Sequence, residues 1–261
     1  MDKFNCRLCG FKTKQIFTRK VLNKYDVKYL WCPNCSLIQT ENPYWLSEAY
    51  STAISDADTG ILSRNLDLMK KLSIILLYLF GDNAKKYTYL DYGGGYGLLV
   101  RLMRDIGFDF YWYDKYSKNI FSKGFEFKNQ PIKAVAAFEV FEHLLIPKEL
   151  IDFVFKELRA DSIIFSTFLY GEKPPRPVDW WYYNFQTGQH ISFYNLKTLK
   201  YLARKNSMNL LTDGISTHII TKHKKSELCF KILLKISRFL FPFVRRSFKS
   251  KTFEDYETIS K

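Results

Sequence analysis

Apolar and polar positions alternate along this chain with periods that predict helices and strands. Between 61 and 80, large apolar residues recur every three or four positions, which predicts a helix with one buried face that ends at Gly81. The preceding residues Asp58, Thr59 and Gly60 are expected to cap its first turn. The same spacing predicts further helices at 98–106, 147–158 and 196–205.

Shorter apolar runs between these helices predict strands. They lie at 87–90, 108–113, 134–138, 162–168, 208–211 and 215–221. Asp213 and Gly214 separate the last two runs, as in an antiparallel hairpin at the edge of a sheet. Because strands alternate with helices, we predict an α/β fold with a doubly wound, mostly parallel, Rossmann-like sheet.

The first strand of this sheet leads into a glycine-rich loop. Asp91 follows the strand, and the glycines before the next helix are Gly93, Gly94, Gly95 and Gly97. Glycines let the backbone turn tightly and approach a ligand closely, and such strand–loop–helix units form the nucleotide sites of open α/β sheets. Leu98 stands where a dinucleotide-binding motif has its third glycine, so the spacing excludes that class. A glycine loop that binds no ligand is the alternative.

Asp114 ends the next predicted strand, 17 residues after Gly97. A carboxylate at this position can accept hydrogen bonds from both ribose hydroxyls of a bound nucleoside. We therefore predict that Asp114 binds ribose. The alternative is that Asp114 only caps a loop.

Two C-x-x-C knuckles lie near the N-terminus, Cys6 with Cys9 and Cys32 with Cys35, and 22 residues separate them. Such knuckles place four thiolates tetrahedrally around one zinc ion, which then has no open position for catalysis. The aromatic and β-branched residues between them predict the short strands of a zinc ribbon. Disulfide bonds are the alternative. Cys229 stands alone and is expected to be buried.

Composition narrows the class of partner. The 261 residues include 40 Lys and Arg against 26 Asp and Glu, a net charge of +14 that favours nucleotides, phosphorylated sugars, nucleic acid or an anionic membrane surface. Hydrophobic residues make up 47% of the chain, as in a packed globular protein. The N-terminus has no signal-peptide pattern and no apolar run reaches about 20 residues, so we expect a cytoplasmic protein with reduced thiols.

The four histidines divide into two pairs. His218 and His223 lie on the last predicted hairpin and are expected at the surface. His143 and His190 follow predicted strands, at the edge of the sheet that carries the glycine loop. Histidine is the side chain best suited to general-base catalysis near neutral pH, although a lone histidine is more often structural.

A long aromatic loop and a basic tail complete the chain. The loop holds Trp180, Trp181, Tyr182, Tyr183 and Phe185, and its aromatic surface would suit stacking on a sugar ring or a base. In the tail, apolar and basic positions alternate, which predicts an amphipathic helix that lies on an anionic membrane surface or packs on a partner. A helix that covers the protein's own core is the alternative. Pro242 is expected to kink or end this helix.

The motifs resemble those of a known enzyme family. The spacing of Asp91 and the glycines resembles motif I of class I S-adenosylmethionine (SAM)-dependent methyltransferases, and Glu139-Val-Phe-Glu-His143 is similar to a region that borders the methyl donor in that family. A two-knuckle module before such a core resembles sugar C-methyltransferases, and resembles still more a shorter class associated with bacterial surface polysaccharides. The likeness extends from Cys6 to about Thr221 and includes Gln189-His190-Ile191-Ser192-Phe193.

This resemblance implies SAM as the cofactor and a structural Zn²⁺. It implies roles in the cofactor site for Asp91, the glycines, Asp114 and Glu139. Tyr50 and Arg64 are further candidates for contact with cofactor or substrate, and a position on the solvated face of its helix is the alternative for Arg64. It places His143 and His190 in the acceptor site as the catalytic residues. Gln189 stands where the C-methyltransferases have glutamate, and their large second domain does not follow. Both differences favour O-methylation of a nucleotide-linked sugar or other capsular polysaccharide precursor.

We therefore expect four regions: a zinc ribbon at 1–40, a helical connector at 41–82, a SAM-binding core at 83–223 and the basic tail at 224–261. Two other functions compete with sugar methylation. One is an RNA-modifying methyltransferase, although the basic residues concentrate in the tail rather than around the knuckles, which makes nucleic acid the weaker prediction. The other is a non-catalytic interaction module on a degenerate methyltransferase fold.

Overall fold

The computed structural model describes residues 4–51 and 58–260. In these ranges the strands are β1 (Lys14–Val21), β2 (Tyr25–Trp31), β3 (Ile38–Thr40), β4 (Thr88–Tyr92), β5 (Asp109–Tyr113), β6 (Ala134–Ala137), β7 (Ser162–Ser166), β8 (Ser192–Phe193), β9 (Asn209–Thr212) and β10 (Thr217–Thr221). The α-helices are α1 (Leu46–Ala49), α2 (Ile61–Phe80), α3 (Leu98–Ile106), α4 (Pro147–Asp152), α5 (Leu196–Lys205), α6 (Glu227–Ser247) and α7 (Thr252–Ile259).

Six strands form the larger sheet, in the order β5-β4-β6-β7-β10-β9. The first four run parallel to one another, and β10 lies antiparallel between β7 and β9. Parallel strands are buried on both faces, which explains the nearly continuous apolar runs of β6 and β7. The prediction of a doubly wound, mostly parallel α/β sheet is confirmed.

A second, antiparallel sheet has the order β1-β2-β3-β8. Its first three strands lie within and just after the segment between the cysteine knuckles, as the ribbon prediction requires. Its fourth strand, β8, comes from much later in the chain and pairs with β3. Tyr29 of β2 and Phe193 of β8 share a buried aromatic cluster with Tyr183. The ribbon sheet is therefore built into the same body as the segment that carries Gln189 and His190.

Helix α2 spans the predicted residues, but its first turn is not capped as expected. Gly60 occupies the N-cap position, and no side chain makes a capping hydrogen bond. Asp58 instead accepts two hydrogen bonds from the guanidinium group of Arg64, at 2.8 and 2.5 Å. Within the predicted connector at 41–82, residues 52–57 lie outside the described residues.

The surface position predicted for His218 is wrong. Its side chain is fully buried, because β10 lies between β7 and β9 rather than at the edge of the sheet. The Nδ1 atom lies 2.7 Å from Thr212 Oγ1, and Nε2 donates to the carbonyl oxygen of Thr167 at 3.0 Å. His218 is thus a core residue with both ring nitrogens hydrogen-bonded.

The C-terminal helix α6 packs on α2 and on β9 through Phe230, Leu234 and neighbouring residues. The prediction for Cys229 is wrong. Cys229 is exposed, because the core-facing stripe runs through Phe230, one position further along. Pro242 does not end the helix, which continues to Ser247 while Val244 packs into the core beyond the proline. None of the helices in 4–51 and 58–260 is long and apolar enough to cross a membrane.

Candidate active site

The glycine loop joins β4 to α3 at the carboxyl edge of the larger sheet. Gly93 and Gly97 have φ values of +74° and +84°, which L side chains rarely adopt. A Cβ atom at Gly93 would lie 2.6 Å from Val140 Cγ2, and one at Gly97 would lie 2.4 Å from Ser122 Oγ. Both positions therefore require glycine, and the loop brings bare backbone to the surface of the site.

Asp114 follows β5 and lies across the glycine loop. Its Oδ2 accepts a hydrogen bond from the Gly95 backbone N–H at 2.9 Å. Its Oδ1 accepts hydrogen bonds from the backbone N–H groups of Tyr116 and Ser117, at 2.7 and 2.8 Å. The structure thus brings together the loop and the acid that the sequence singles out, and it holds the carboxylate in one orientation.

Asp91 is buried beneath this loop. Its Oδ2 is inaccessible to solvent and has no hydrogen-bond partner among the described residues. Burial raises the pKa of Asp91 to about 7, and the nearby charge of Asp114 adds to this rise. A positively charged group beside the loop would reverse this effect by pairing with the carboxylate. The carboxylates of Asp114 and Asp91 therefore fit a ligand in which a nucleoside is joined to a cationic group, as in SAM.

Tyr50 connects this region with the histidines. Its ring stacks on that of Tyr116, with centroids 4.5 Å apart, just beyond Asp114 in the chain. Its hydroxyl lies 3.0 Å from Nδ1 of His143. Tyr50 thereby spans from the predicted ribose site to the predicted acceptor site.

His143 and His190 face each other with ring centroids 5.0 Å apart and planes nearly perpendicular. His143 Nδ1 lies 3.1 Å from the Gln189 carbonyl oxygen, and His190 Nδ1 lies 2.7 Å from that of Tyr182. A carbonyl oxygen only accepts hydrogen bonds, so Nδ1 of His190 carries the proton and its Nε2 keeps a free lone pair. The contact with the Gln189 carbonyl oxygen assigns the same tautomer to His143, and the Tyr50 hydroxyl, which also faces Nδ1, then accepts from it. Burial lowers the pKa of His143 to about 3 and that of His190 to about 4, so both imidazoles are neutral at physiological pH.

Glu142 completes this cluster, and the sequence analysis missed it as a candidate. Its side chain is fully buried, and neither carboxylate oxygen has a hydrogen-bond partner among the described residues. One carboxylate oxygen of Glu142, one ring nitrogen of His143 and one ring nitrogen of His190 all lie within 4.8 Å of one another. Burial raises the pKa of Glu142 to about 8, the charge of Glu139 raises it further, and the nearby Tyr182 and Thr167 hydroxyls offset only part of this rise. The only signal in the sequence was a second acid in the Glu139–His143 motif.

Glu139 and Arg64 lie at the margin of the site. Glu139 follows β6 with φ +55°, its N–H donates to Ser166 Oγ at 2.8 Å, and the Ser166 hydroxyl donates to its Oε1 at 2.7 Å. The pKa of Arg64 is raised mainly by its hydrogen bonds with Asp58, and the charge of Glu139 contributes a smaller part. Arg64 thus lies on the side of Glu139, with its guanidinium group held by Asp58.

The aromatic loop exposes fewer of its aromatic side chains to solvent than its sequence predicts. Tyr182 and Tyr183 are buried against the ribbon sheet, whereas Trp181 is 72% exposed. Tyr182 also positions His190 through its carbonyl oxygen. The loop therefore acts mainly as a scaffold for His190, and Trp181 is the aromatic residue that it leaves open to solvent.

The four N-terminal cysteines form a separate cluster. Sγ of Cys6 lies 3.5 Å from that of Cys35, Sγ of Cys9 lies 3.4 Å from that of Cys32, and all four atoms lie within 4.8 Å of one another. Thiolates around a tetrahedral zinc ion, with Zn–S bonds of about 2.3 Å, stand roughly 3.8 Å apart. The donor type and the spacing of this cluster both fit such a site.

A comparison with known families identifies the class of domain. A family model described as a methyltransferase domain matches residues 64–212, more than half of the 261-residue chain. No curated protein matches the chain.

Solved methyltransferase structures also resemble the fold. The plantazolicin methyltransferase BpumL in complex with SAH is 12% identical, with a TM-score of 0.45 over 77% of this chain and 90% of that one. Magnesium protoporphyrin IX methyltransferase from Synechocystis PCC 6803, with bound SAH, is 11% identical, with a TM-score of 0.40 over 68% and 94%. The methyltransferase domain of bacterial CtHen1 is 17% identical, with a TM-score of 0.40 over 60% and 100%.

Proposed function

Because the chain belongs to the methyltransferase-domain family and is a SAM-dependent methyltransferase, we propose that it methylates a hydroxyl group of a nucleotide-linked sugar or another precursor of a surface polysaccharide. The observation that carries this proposal is the pair of half-buried, neutral imidazoles of His143 and His190, each with a free Nε2. A neutral imidazole can take the proton of a hydroxyl group, but it is a weak base for removing a proton from carbon.

The glycine loop and Asp114 hold the cofactor in this proposal, with Asp91 beneath it. SAM supplies a methyl group carried on a positively charged sulfonium. The carboxylate of Asp114 binds the ribose hydroxyls, and the unpartnered Asp91 carboxylate balances positive charge. Glu139, Arg64 and Tyr50 border the same space, and Tyr50 holds the ring stack beside Asp114.

His143 and His190 bind and orient the acceptor hydroxyl. Their Nδ1 atoms are engaged with backbone carbonyl oxygens, which fixes both rings and directs Nε2 to the proton of the acceptor. Glu142 beside them is fully buried, while the half-buried imidazoles reach the open side of the site and hold the acceptor for an in-line reaction with the methyl group. One Nε2 would take the proton of the hydroxyl as the C–O bond forms and the S–CH₃ bond of SAM breaks, with S-adenosylhomocysteine as the leaving group.

The sugar class of acceptor is supported by two features. One is the resemblance carried by the cysteine knuckles and by the segment from Gln189 to Phe193. The other is the net charge of +14, which suits a phosphorylated saccharide. We also propose that Cys6, Cys9, Cys32 and Cys35 bind one structural Zn²⁺, which ties the two knuckles together beside the ribbon sheet.

Alanine at His143 or at His190 tests the acceptor site. Each substitution is expected to lower kcat by about 100-fold or more, because a positioned general base contributes on the order of 10²–10⁴ to the rate. The affinity for SAM should stay nearly unchanged, since neither imidazole belongs to the glycine loop. Steady-state kinetics and isothermal titration measure the two effects.

His223→Ala is the matched control for these variants. His223 follows β10 at the opposite edge of the sheet, beside Asp161, so its replacement should leave kcat at the wild-type value. Near-wild-type turnover in both the His143 and the His190 variant would remove the proposed catalytic role.

A further inference from the structure

Helix α6 carries a second apolar stripe on the face opposite to the core. Its residues are between 38% and 68% exposed. They are Leu228, Ile232, Ile236, Phe239 and Phe243. These positions fall every three or four residues, so the side chains form a continuous line over four turns of the helix. Because the inner face already packs on α2, the outer stripe is not needed to close the core.

Basic side chains flank this stripe. Within α6 five residues are basic, Lys231, Lys235, Arg238, Arg245 and Arg246, and Glu227 is the one acid. Glu227 is already paired with Lys231 at 2.7 Å. At 100° per residue, Lys231, Lys235 and Arg238 fall along one side of the apolar line. The exposed face therefore combines five large apolar side chains with uncompensated positive charge.

This combination of exposed apolar and basic side chains on α6 favours one kind of binding partner. A second copy of the chain would bring the same basic residues against each other, and like charges at close range oppose such a dimer. An anionic phospholipid surface matches both features, because apolar side chains enter the headgroup–acyl boundary while basic ones meet lipid phosphates. We propose that the outer face of α6 binds an anionic membrane surface, with the helix lying in the plane of the interface.

Vesicle co-sedimentation of the full chain tests this surface. We expect binding to vesicles of phosphatidylcholine mixed with phosphatidylglycerol to exceed binding to phosphatidylcholine alone by at least about tenfold, since several basic residues contribute. The triple variant Ile232→Ser, Phe239→Ser, Phe243→Ser and the double variant Lys235→Glu, Arg238→Glu should each lose at least about tenfold of this binding.

The control replaces exposed apolar residues elsewhere, Phe11→Ser with Ile215→Ser, and should bind vesicles as the wild type does. SAM titration of every variant reports on the folded core separately from the membrane face. The proposal is overturned if the α6 variants bind vesicles as well as the wild type while SAM binding is intact. It is also overturned if the wild type shows no lipid preference, or if ultracentrifugation shows a dimer that the triple variant abolishes.

Discussion

Replacing Asp114 with alanine is expected to weaken SAM binding by about 100-fold. Its carboxylate is held across the glycine loop by the backbone N–H groups of Gly95, Tyr116 and Ser117. Hydrogen bonds to a charged group contribute about 1.5–3 kcal/mol each, so at the lower figure the loss of two ribose contacts corresponds to roughly two orders of magnitude in Kd. The loop would also lose the acceptor that orders the Gly95 N–H.

Isothermal titration of the Asp114→Ala variant with SAM measures this loss. Glu157→Ala serves as the control, since Glu157 is an exposed acid that makes no ion pair among the described residues. Thermal unfolding should show that the Asp114 variant is still folded. An unchanged Kd in a folded Asp114→Ala protein would contradict the assignment of this carboxylate to the ribose.

Replacing Cys32 with serine is expected to remove most of the bound zinc and to lower Tm by roughly 10 °C, because the loss of a structural metal typically costs more than about 4 kcal/mol. Sγ of Cys32 lies 3.4 Å from that of Cys9, and the side chain is fully buried. The ribbon sheet packs on the segment of His190, so turnover should fall together with stability.

Elemental analysis of the purified protein and calorimetry measure the zinc content and Tm. The wild type should contain one zinc ion per chain. Cys229→Ser is the matched control, because Cys229 is exposed and remote from the knuckles, and it should change neither value. A wild-type protein without zinc, or a Cys32→Ser variant with unchanged zinc and Tm, would refute the metal site.

Local sequence patterns predict most of the sheet, and they place the residues of the candidate cofactor site together. The glycine loop can be predicted from the sequence because its turn requires residues without a Cβ atom. Gly93 and Gly97 both have positive φ values there. The position of Asp114 can be predicted because parallel strands end at a common edge of the sheet. A residue that follows β5 therefore lies near the loop that follows β4. These inferences need only periodicity and the rules of α/β topology.

The candidate acceptor site depends on contacts that no local pattern contains. Tyr50 reaches His143 across 93 positions, and Glu142 is buried near Thr167, which follows β7, and near Tyr182 of the aromatic loop. The surface position predicted for His218 is wrong for the same reason. No local pattern shows that β10, the last strand in sequence order, lies between β7 and β9. The sequence also does not show which face of α6 packs on the core, because both of its faces carry large apolar residues.

Transfer of a ¹³C-labelled methyl group from SAM to a panel of nucleotide-linked sugars, followed by mass spectrometry and carbon NMR of the products, is the decisive test of the proposed sugar O-methylation. We expect a singly methylated sugar nucleotide whose label has the chemical shift of a methoxy carbon, and no product from the His143→Ala, His190→Ala double variant. A label attached to a sugar carbon, or transferred to RNA and to none of the sugars, would contradict the proposal.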